Sequence, residues 1–596
     1  MLKKFFLNFL SSFVATWVAL GLFLITAVIV IVAMVGKAGI SAASENVEKV
    51  KKHSVMTLEL SGEIIEREQA PDLDYIRLLQ GDVEAPQTLV DLVSAVREAA
   101  DDKNIDMIYL KCQGVAAGPA TLNALRQELL RFKAAGKKIY AYGDAMLQGD
   151  YYVASVADSL FINPGGSVAI HGIGGTTLFM KDLFDKIGVE FQIVKVGTFK
   201  SAVEPYIMNE MSAPARAQLD TLYGGMWKYI AGDIAKSRKM SVEKINDLIN
   251  KDFIMVQEGD AAVRAGLVDK AVYERTMDAR IARAIGVDED DVNFVGVSTM
   301  AVRGDYGSAY ASKDRVAVLF AEGEIREGTK NGINCEVLVP EIVRLADDDE
   351  VKSMVLRVNS PGGSVFGSDL IGEALAYFKS KGKKLIVSMG DYAASGGYWI
   401  SCEADCIFAD PLTITGSIGI FGMIPNAAGL ASKVGIHPQS VTTNPDANFP
   451  SLFQSMNAEQ MGAMQKMVER GYDKFVGRVA KGRRMPESKV RAIAEGRVWS
   501  AEKARELGLV DRLGGLQDAI LFAAGDDKDP AVAFYPVVEP NGFMQLIQLS
   551  LRNQGAEALI REAVKLCPDA ASALEVANTL RRRTVQARMM PMEVRL

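Results

Sequence analysis

Histidine is nearly absent. The chain has three in 596 residues, His53, His171 and His437, and none sits in a recognisable motif. A histidine-rich metal site is thereby all but excluded, and a hydrolase built on this chain is expected to work without a catalytic histidine. Cysteine is also scarce: five, at 112, 335, 402, 406 and 567, an odd number spread too widely for a disulfide framework. Cys402 and Cys406 are four apart and are expected on one face of a helix, packed in the core rather than around a metal. There is no basic excess. Lys+Arg total 67 against 74 Asp+Glu, a net charge of −7, which argues against a nucleic-acid binder. No Gly-x-x-x-x-Gly-Lys-Ser/Thr loop is present, and neither metal nor cofactor is expected.

What is present is apolar mass. Hydrophobic residues make up 49% and charged residues 24%, a globular composition. The length is about four times that of a usual single domain, so one compact core is not expected.

No charged residue lies between Lys4 and Lys37, and Phe13 to Val35 is almost wholly apolar. As a helix this stretch reaches roughly 34 Å, enough for a hydrocarbon core of roughly 30 Å. It exceeds the apolar region of about 7–15 residues in a cleavable signal peptide. The expectation is a transmembrane anchor over residues 13–35, behind a short tail (1–12) and before a basic stalk (36–53). Ser41-Ala42-Ala43 leaves a weak cleavage site as the alternative. Lys3 and Lys4 precede the span and Lys37, Lys49, Lys51 and Lys52 follow it, so charge counting alone does not orient it. A short tail before a first span commonly stays in the cytoplasm, which puts the acidic body on the far side.

The chain repeats itself. Met389 to Asp405 lines up with Tyr142 to Asp158 without a gap, at a shift of 247 residues. The match runs on through Ile407-Phe-Ala-Asp-Pro411 against Leu160-Phe-Ile-Asn-Pro164. Gly508-Leu-Val-Asp511 echoes Gly266-Leu-Val-Asp269, and Glu322-Gly-Glu-Ile325 echoes Ser61-Gly-Glu-Ile64. So long a period is a domain duplication, not a solenoid. The copies are placed at 54–295 and 312–525, joined by a linker (296–311) and followed by an extension (526–596) with no counterpart in the first copy. Within a copy, short apolar runs (Val316–Phe320, Met354–Val358, Leu385–Met389) alternate with helical periodicity (Leu370–Lys379). That pattern predicts an α/β fold with mostly parallel strands, whose ligands bind at the C-terminal strand ends.

Two glycine-rich loops fall at those ends in the second copy. Asn359-Ser-Pro-Gly-Gly-Ser364 presents backbone N–H groups suited to an oxyanion hole, or is a plain turn. Ala393-Ala-Ser-Gly-Gly-Tyr398 puts Ser395 at a strand-to-helix turn, as nucleophile or as helix cap, with Gly396 behind it. A serine nucleophile needs a base, and no histidine has a motif around it. A lysine made neutral by burial is the other option. Here the copies differ. Opposite Ser395 the first copy has Gln148, and opposite the glycine pair about Ala116-Ala117. Yet the first copy carries Val196-Gly-Thr-Phe-Lys-Ser-Ala-Val-Glu-Pro205, whose Lys200 faces Ala447 in the second. Each copy lacks what the other holds, which predicts one composite site of Ser395 and Lys200.

These segments closely resemble the signal peptide peptidase A (protease IV) family in its long, duplicated form, and the likeness covers essentially the whole chain. The resemblance implies two tandem Clp protease/crotonase-like domains behind the membrane helix. It implies a homotetramer in the bacterial inner membrane with an extracytoplasmic body, and a serine endopeptidase degrading hydrophobic peptides such as cleaved signal peptides. It carries the nucleophile to Ser395, the base to Lys200 and the lysine-orienting hydroxyl to Ser417. The oxyanion donors fall on the N–H groups of Gly396 and of Gly362 or Gly363. Two other classes compete: an acyl-CoA enzyme of the crotonase kind, which needs neither Ser395 nor Lys200, and a membrane scaffold with a decayed site.

Overall fold

Two sheets organise the chain, parallel throughout except where Val498–Ser500 pairs antiparallel with Ile414–Gly416 in the second, and each is built from buried apolar runs. The computed structural model describes residues 50–67, 86–304, 307–328, 332–525, 527 and 529–536. The first sheet has seven strands. Its path runs Asn293–Gly296, Ser54–Ile65, Ile105–Ala116, Lys138–Gly143, Ser159–Ile162 and Lys270–Ala271, with Gln87–Thr88 beside Ser54–Ile65. The second has eight strands. Its path runs Val498–Ser500, Ile414–Gly416, Lys384–Ala394, Val351–Ser360, Arg315–Glu322 and Val532–Tyr535, with Cys406–Ala409 and Arg512–Leu513 branching from Lys384–Ala394. Strand Val351–Ser360 is buried along nearly its whole length, as strands covered by helices on both faces are. Helix Val365–Ser380 follows it, capped by the Ser364 hydroxyl, which accepts from the Gly367 N–H at 3.1 Å.

Strand Val532–Tyr535 corrects the reading of the extension. It pairs in parallel with Arg315–Glu322 through Val316–Val532 and Ala317–Ala533. Asn293–Gly296 pairs in the same way with Ser54–Ile65. Residues 532–535 therefore have a counterpart in the first copy. A strand of four residues, beyond the ungapped match, is too short to register as similarity. A second correction concerns Cys402 and Cys406. Cys402 lies in a turn and Cys406 opens a strand, so they share no helix; both are buried free thiols.

The copies interlock. Leu412, Ile414 and Val498 of the second copy belong to the first copy's apolar core, and Val194 of the first belongs to the second's. Strand Glu190–Val196 of the first copy pairs antiparallel with Ile420–Asn426 of the second. Helix Pro119–Ala134 of the first copy has its N-terminus held by Asp391 of the second, which accepts from Ala120 N–H at 2.7 Å and Thr121 Oγ1 at 2.6 Å. All of this lies within one compact unit. The interlocking brings the segment after Val196 to the strand ends that carry Ser395.

The apolar stretch Phe13–Val35 lies outside the described residues, as does Leu546–Leu566, where the spacing of Leu546, Leu549, Leu559, Ile560 and Val564 predicts an amphipathic helix. Among the described residues, no helix is long and apolar enough to cross a membrane.

Candidate active site

Ser395 stands directly at the end of strand Lys384–Ala394, with φ 55° and ψ −117°. A non-glycine residue at positive φ is strained, and such strain persists where the surroundings over-determine it. Here the Ser395 N–H donates to the Gly416 carbonyl at 2.9 Å, while its own carbonyl accepts from the Trp399 N–H at 2.9 Å. The helix that follows Ser395 closes after one turn, Gly396–Trp399. So short a helix has little macrodipole, and what it offers is its free first N–H.

Lys200 enters from the first copy, four residues beyond Val196, and is only 4% exposed. Its Nζ donates to Ser395 Oγ at 3.1 Å, to Ser417 Oγ at 2.9 Å and to the Ser417 carbonyl at 3.4 Å. Burial lowers the amine from its ordinary value to about 7, because a desolvated ammonium loses its hydration. Among the described residues no carboxylate pairs with it to offset that. Ser417 also has a positive φ, 53°. It follows strand Ile414–Gly416, which pairs with Tyr392–Ala394, so both serines leave neighbouring strand ends. The Thr415 hydroxyl donates to the Ala393 carbonyl at 2.7 Å and tightens that register.

The glycine loop lies alongside. A Cβ on Gly362 would meet Ser395 Cβ and Gly396 N at 2.7 Å, so only glycine fits the approach. The Gly362 N–H is occupied, donating to Ser360 Oγ at 3.2 Å. The N–H groups of Gly363 and Gly396 donate to no acceptor among the described residues. Beside them opens a cavity of about 40 Å³ walled by Val365, Trp399, Ile420, Phe421 and Phe475. These side chains come from four separate segments, and sequence spacing does not associate them. A second cavity, about 70 Å³, lies against Lys200 and Ser417, between Phe199, Met211 and Leu219.

The structure thus brings together Ser395, Lys200, Ser417, Gly396, Gly362 and Gly363, and none of the three histidines lines either cavity. At the matching place in the first copy, Gln148 is buried and hydrogen-bonded through both ends of its amide. It accepts from the N–H groups of His171 and Gly172 and donates to the Gly172 carbonyl. No group of three or more His, Cys, Asp or Glu arranged to hold a metal occurs among the described residues.

A duplicated α/β chain with a strained serine beside free backbone N–H groups has the parts of a serine hydrolase, and sequence comparison makes the assignment specific. The chain belongs to peptidase family S49, whose profile matches residues 131–288 and 377–528, just over half its length. It is 35% identical to Protease 4 of Salmonella typhi over 449 residues, 73% of this chain and 72% of that one. It is 36% identical to Protease 4 of Haemophilus influenzae over 447 residues, 72% and 71% of the two chains. The chloroplastic serine protease SPPA of Arabidopsis thaliana is 26% identical over 492 residues, 80% of this chain and 69% of that one. Among solved structures, a ClpP1 mutant from Listeria monocytogenes aligns with 35% of this chain and 95% of its own at 15% identity, with a TM-score of 0.24. Family membership rests on the sequence matches rather than on that overlap. It removes the acyl-CoA enzyme and the inert scaffold as readings.

Proposed function

We propose that the chain is a membrane-anchored endopeptidase working through a Ser395–Lys200 dyad, with one member from each copy. The observation that carries this is the 3.1 Å contact between the Lys200 amine and the Ser395 hydroxyl, at a lysine lowered to about 7. Neutral Lys200 takes the hydroxyl proton as Ser395 Oγ bonds to the peptide carbonyl carbon. The oxyanion is met by the N–H groups of Gly396 and Gly363, since that of Gly362 is already engaged. The C–N bond then breaks, Lys200 returns the proton to the leaving amine, and an ester on Ser395 remains. Water, deprotonated by Lys200, releases the acid and restores the serine. Ser417 orients the amine. No cofactor or metal takes part.

The apolar walls of the cavity beside Ser395 suit hydrophobic side chains. A catalytic body tethered by residues 13–35 would meet such peptides at the bilayer surface. Cleaved signal peptides are of that kind, and "putative signal peptide peptidase SppA" of Enterococcus faecium is 32% identical over 216 residues. The remaining parts of the reading are a Clp/crotonase-like class for each copy, a homotetramer, and a single span of the bacterial inner membrane with the body extracytoplasmic.

The test is Lys200→Ala and Ser395→Ala in the full chain, each assayed on an apolar peptide. Each is expected to lose activity by about 10⁴-fold while oligomeric state and folding persist. Substantial activity in either variant overturns the dyad.

A further inference from the structure

A loop of the second copy holds the lysine of the first. The Phe199 N–H donates to the Glu495 carbonyl at 2.9 Å. Thr198 N–H and Oγ1 both donate to Glu495 Oε2, at 3.0 and 3.1 Å. Two residues on, the Arg497 carbonyl accepts from the Ser417 N–H at 2.7 Å. Between these anchors, Gly496 lies against Lys200 itself. A Cβ there would sit 2.7 Å from Lys200 Cβ and 2.9 Å from its Cα and N, and the residue has φ +74°. The approach is reciprocal, since a Cβ on Gly197 would meet the Glu495 carbonyl at 2.5 Å. The Arg497 guanidinium packs on Phe199 and Trp499, at 4.8 and 4.3 Å from the ring centroids. One short loop therefore touches both the lysine segment and Ser417, and sets the spacing between them.

The duplication supplies an internal control. The register that aligns Gly508-Leu-Val-Asp511 with Gly266-Leu-Val-Asp269 sets Glu495 and Gly496 opposite Phe253 and Ile254. The left-handed turn survives in both copies, with φ 56° at Glu495 and 48° at Phe253. The glycine does not. Ile254 is buried in its own copy's core and opens a short 3-10 helix. The repeat thus folds without a glycine after this turn, and the second copy has one where the other copy's lysine comes in. The Thr198–Glu495 bonds join exposed groups, which contribute little to stability.

We infer that Glu495 and Gly496 are positioning residues for Lys200, holding its backbone so that the amine reaches Ser395 and Ser417 together. The inference rests on the dyad reading above. Charged and titratable groups beside this segment among the described residues include Glu204, Glu495, Arg497 and Tyr472, the last lying near Glu495. Glu204 is engaged by Ser212 N–H and Oγ at 3.1 and 2.7 Å, Glu495 by Thr198, and Arg497 by the two rings. The Phe421 ring lies 5.9 Å from Nζ.

The test uses full-chain Gly496→Ala, Glu495→Ala, Glu495→Gln and Thr198→Val, with kcat and KM on an apolar peptide across pH and thermal unfolding alongside. Gly496→Ala should lower kcat by about 10²-fold with KM nearly unchanged. It should also move the acid limb of kcat to higher pH as the displaced amine gains water. Glu495→Ala and Thr198→Val should move both quantities the same way, each by about 10-fold in kcat. Glu495→Gln, which keeps an oxygen for Thr198, should recover most of the loss. Melting temperatures should stay within a few degrees. The inference is overturned if kcat and the acid limb are unmoved in Glu495→Ala and Thr198→Val, whatever Gly496→Ala does. It is also overturned if kcat falls only as folded protein is lost, with the limb in place. Activity retained in Lys200→Ala would instead defeat the dyad reading, a separate failure.

Discussion

Lys200 Nζ lies nearer to Ser417 Oγ than to Ser395 Oγ, 2.9 against 3.1 Å. The hydroxyl of Ser417 sits on a backbone strained to φ 53°, and its own N–H is tied to the Arg497 carbonyl at 2.7 Å. A group held that firmly suits the proposed role of orienting the amine rather than following it. Ser417→Ala is expected to lower kcat by about 10–100-fold and leave KM nearly unchanged. The fold should persist, because only one hydrogen bond to a neutral amine is lost. Steady-state kinetics beside a melting curve checks this, and an unchanged kcat would remove Ser417 from the site.

The lowered amine makes a prediction about pH. In the proposed dyad Lys200 is a base only when neutral, and burial brings its pKa down to about 7. Activity should therefore be low at pH 5 and rise through pH 7 to a plateau, with one proton lost along the limb. No histidine lines the site, so the same limb should survive His53→Gln, His171→Gln and His437→Gln. A limb abolished by any of these substitutions would assign the base elsewhere.

Function and stability should oppose each other at this residue. Below pH 7 Lys200 is protonated in both the folded and the unfolded chain, and the folded state carries the cost of a buried charge. From about pH 7 to the ordinary lysine value of 10.5 the folded amine is neutral and the unfolded one charged. The unfolded state then binds the extra proton, so stability rises with pH across that window. Lys200→Met removes the titration. It should stabilise the chain by about 1–3 kcal/mol at neutral pH, part of the gain being offset by two hydroxyls left without the amine. The advantage should shrink toward pH 10. Denaturant unfolding at three pH values tests the sign, and a destabilised Lys200→Met at pH 6 contradicts it.

That Ser395 and Lys200 come from different copies was legible because duplication lets a chain be compared with itself. Gln148 opposite Ser395 and Ala447 opposite Lys200 are visible as letters. The strands around Val316, Met354 and Leu385 were legible for the same reason that they are buried on both faces: their apolar runs are uninterrupted. What stayed hidden is what depends on the copies meeting in space. Glu495 and Gly496 look like an ordinary turn until Lys200 is seen packed on them. The cavity walls Val365, Trp399, Phe421 and Phe475 come from four segments that no periodicity links. Strand Val532–Tyr535 was missed because four residues at a sheet edge carry almost no pattern. That the Gly362 N–H is taken by Ser360 Oγ while the Gly363 N–H has no acceptor among the described residues is something no sequence spacing encodes.

The copies are also joined by a buried ion pair beneath the glycine loop. Arg357 of the second copy donates to Glu66 of the first through Nε and Nη2, at 3.0 and 2.8 Å, with side chains 3% and 1% exposed. Asn359 adds a bond to the same carboxylate at 3.3 Å and accepts from the Tyr392 N–H at 3.1 Å. Glu66 therefore braces the residue that opens the Ser360–Gly363 turn. Removing one partner leaves a buried charge without compensation, so Glu66→Ala should destabilise by about 3–5 kcal/mol. Replacing both partners with apolar residues of similar size, Glu66→Leu with Arg357→Met, should recover much of that stability, because neither charge is then stranded. Activity should recover less than stability in the double variant, since Asn359 loses its acceptor and the turn beside Ser395 its brace. Unfolding and kcat measured on the three proteins separate the two effects. Equal recovery of both would show that the pair serves stability alone.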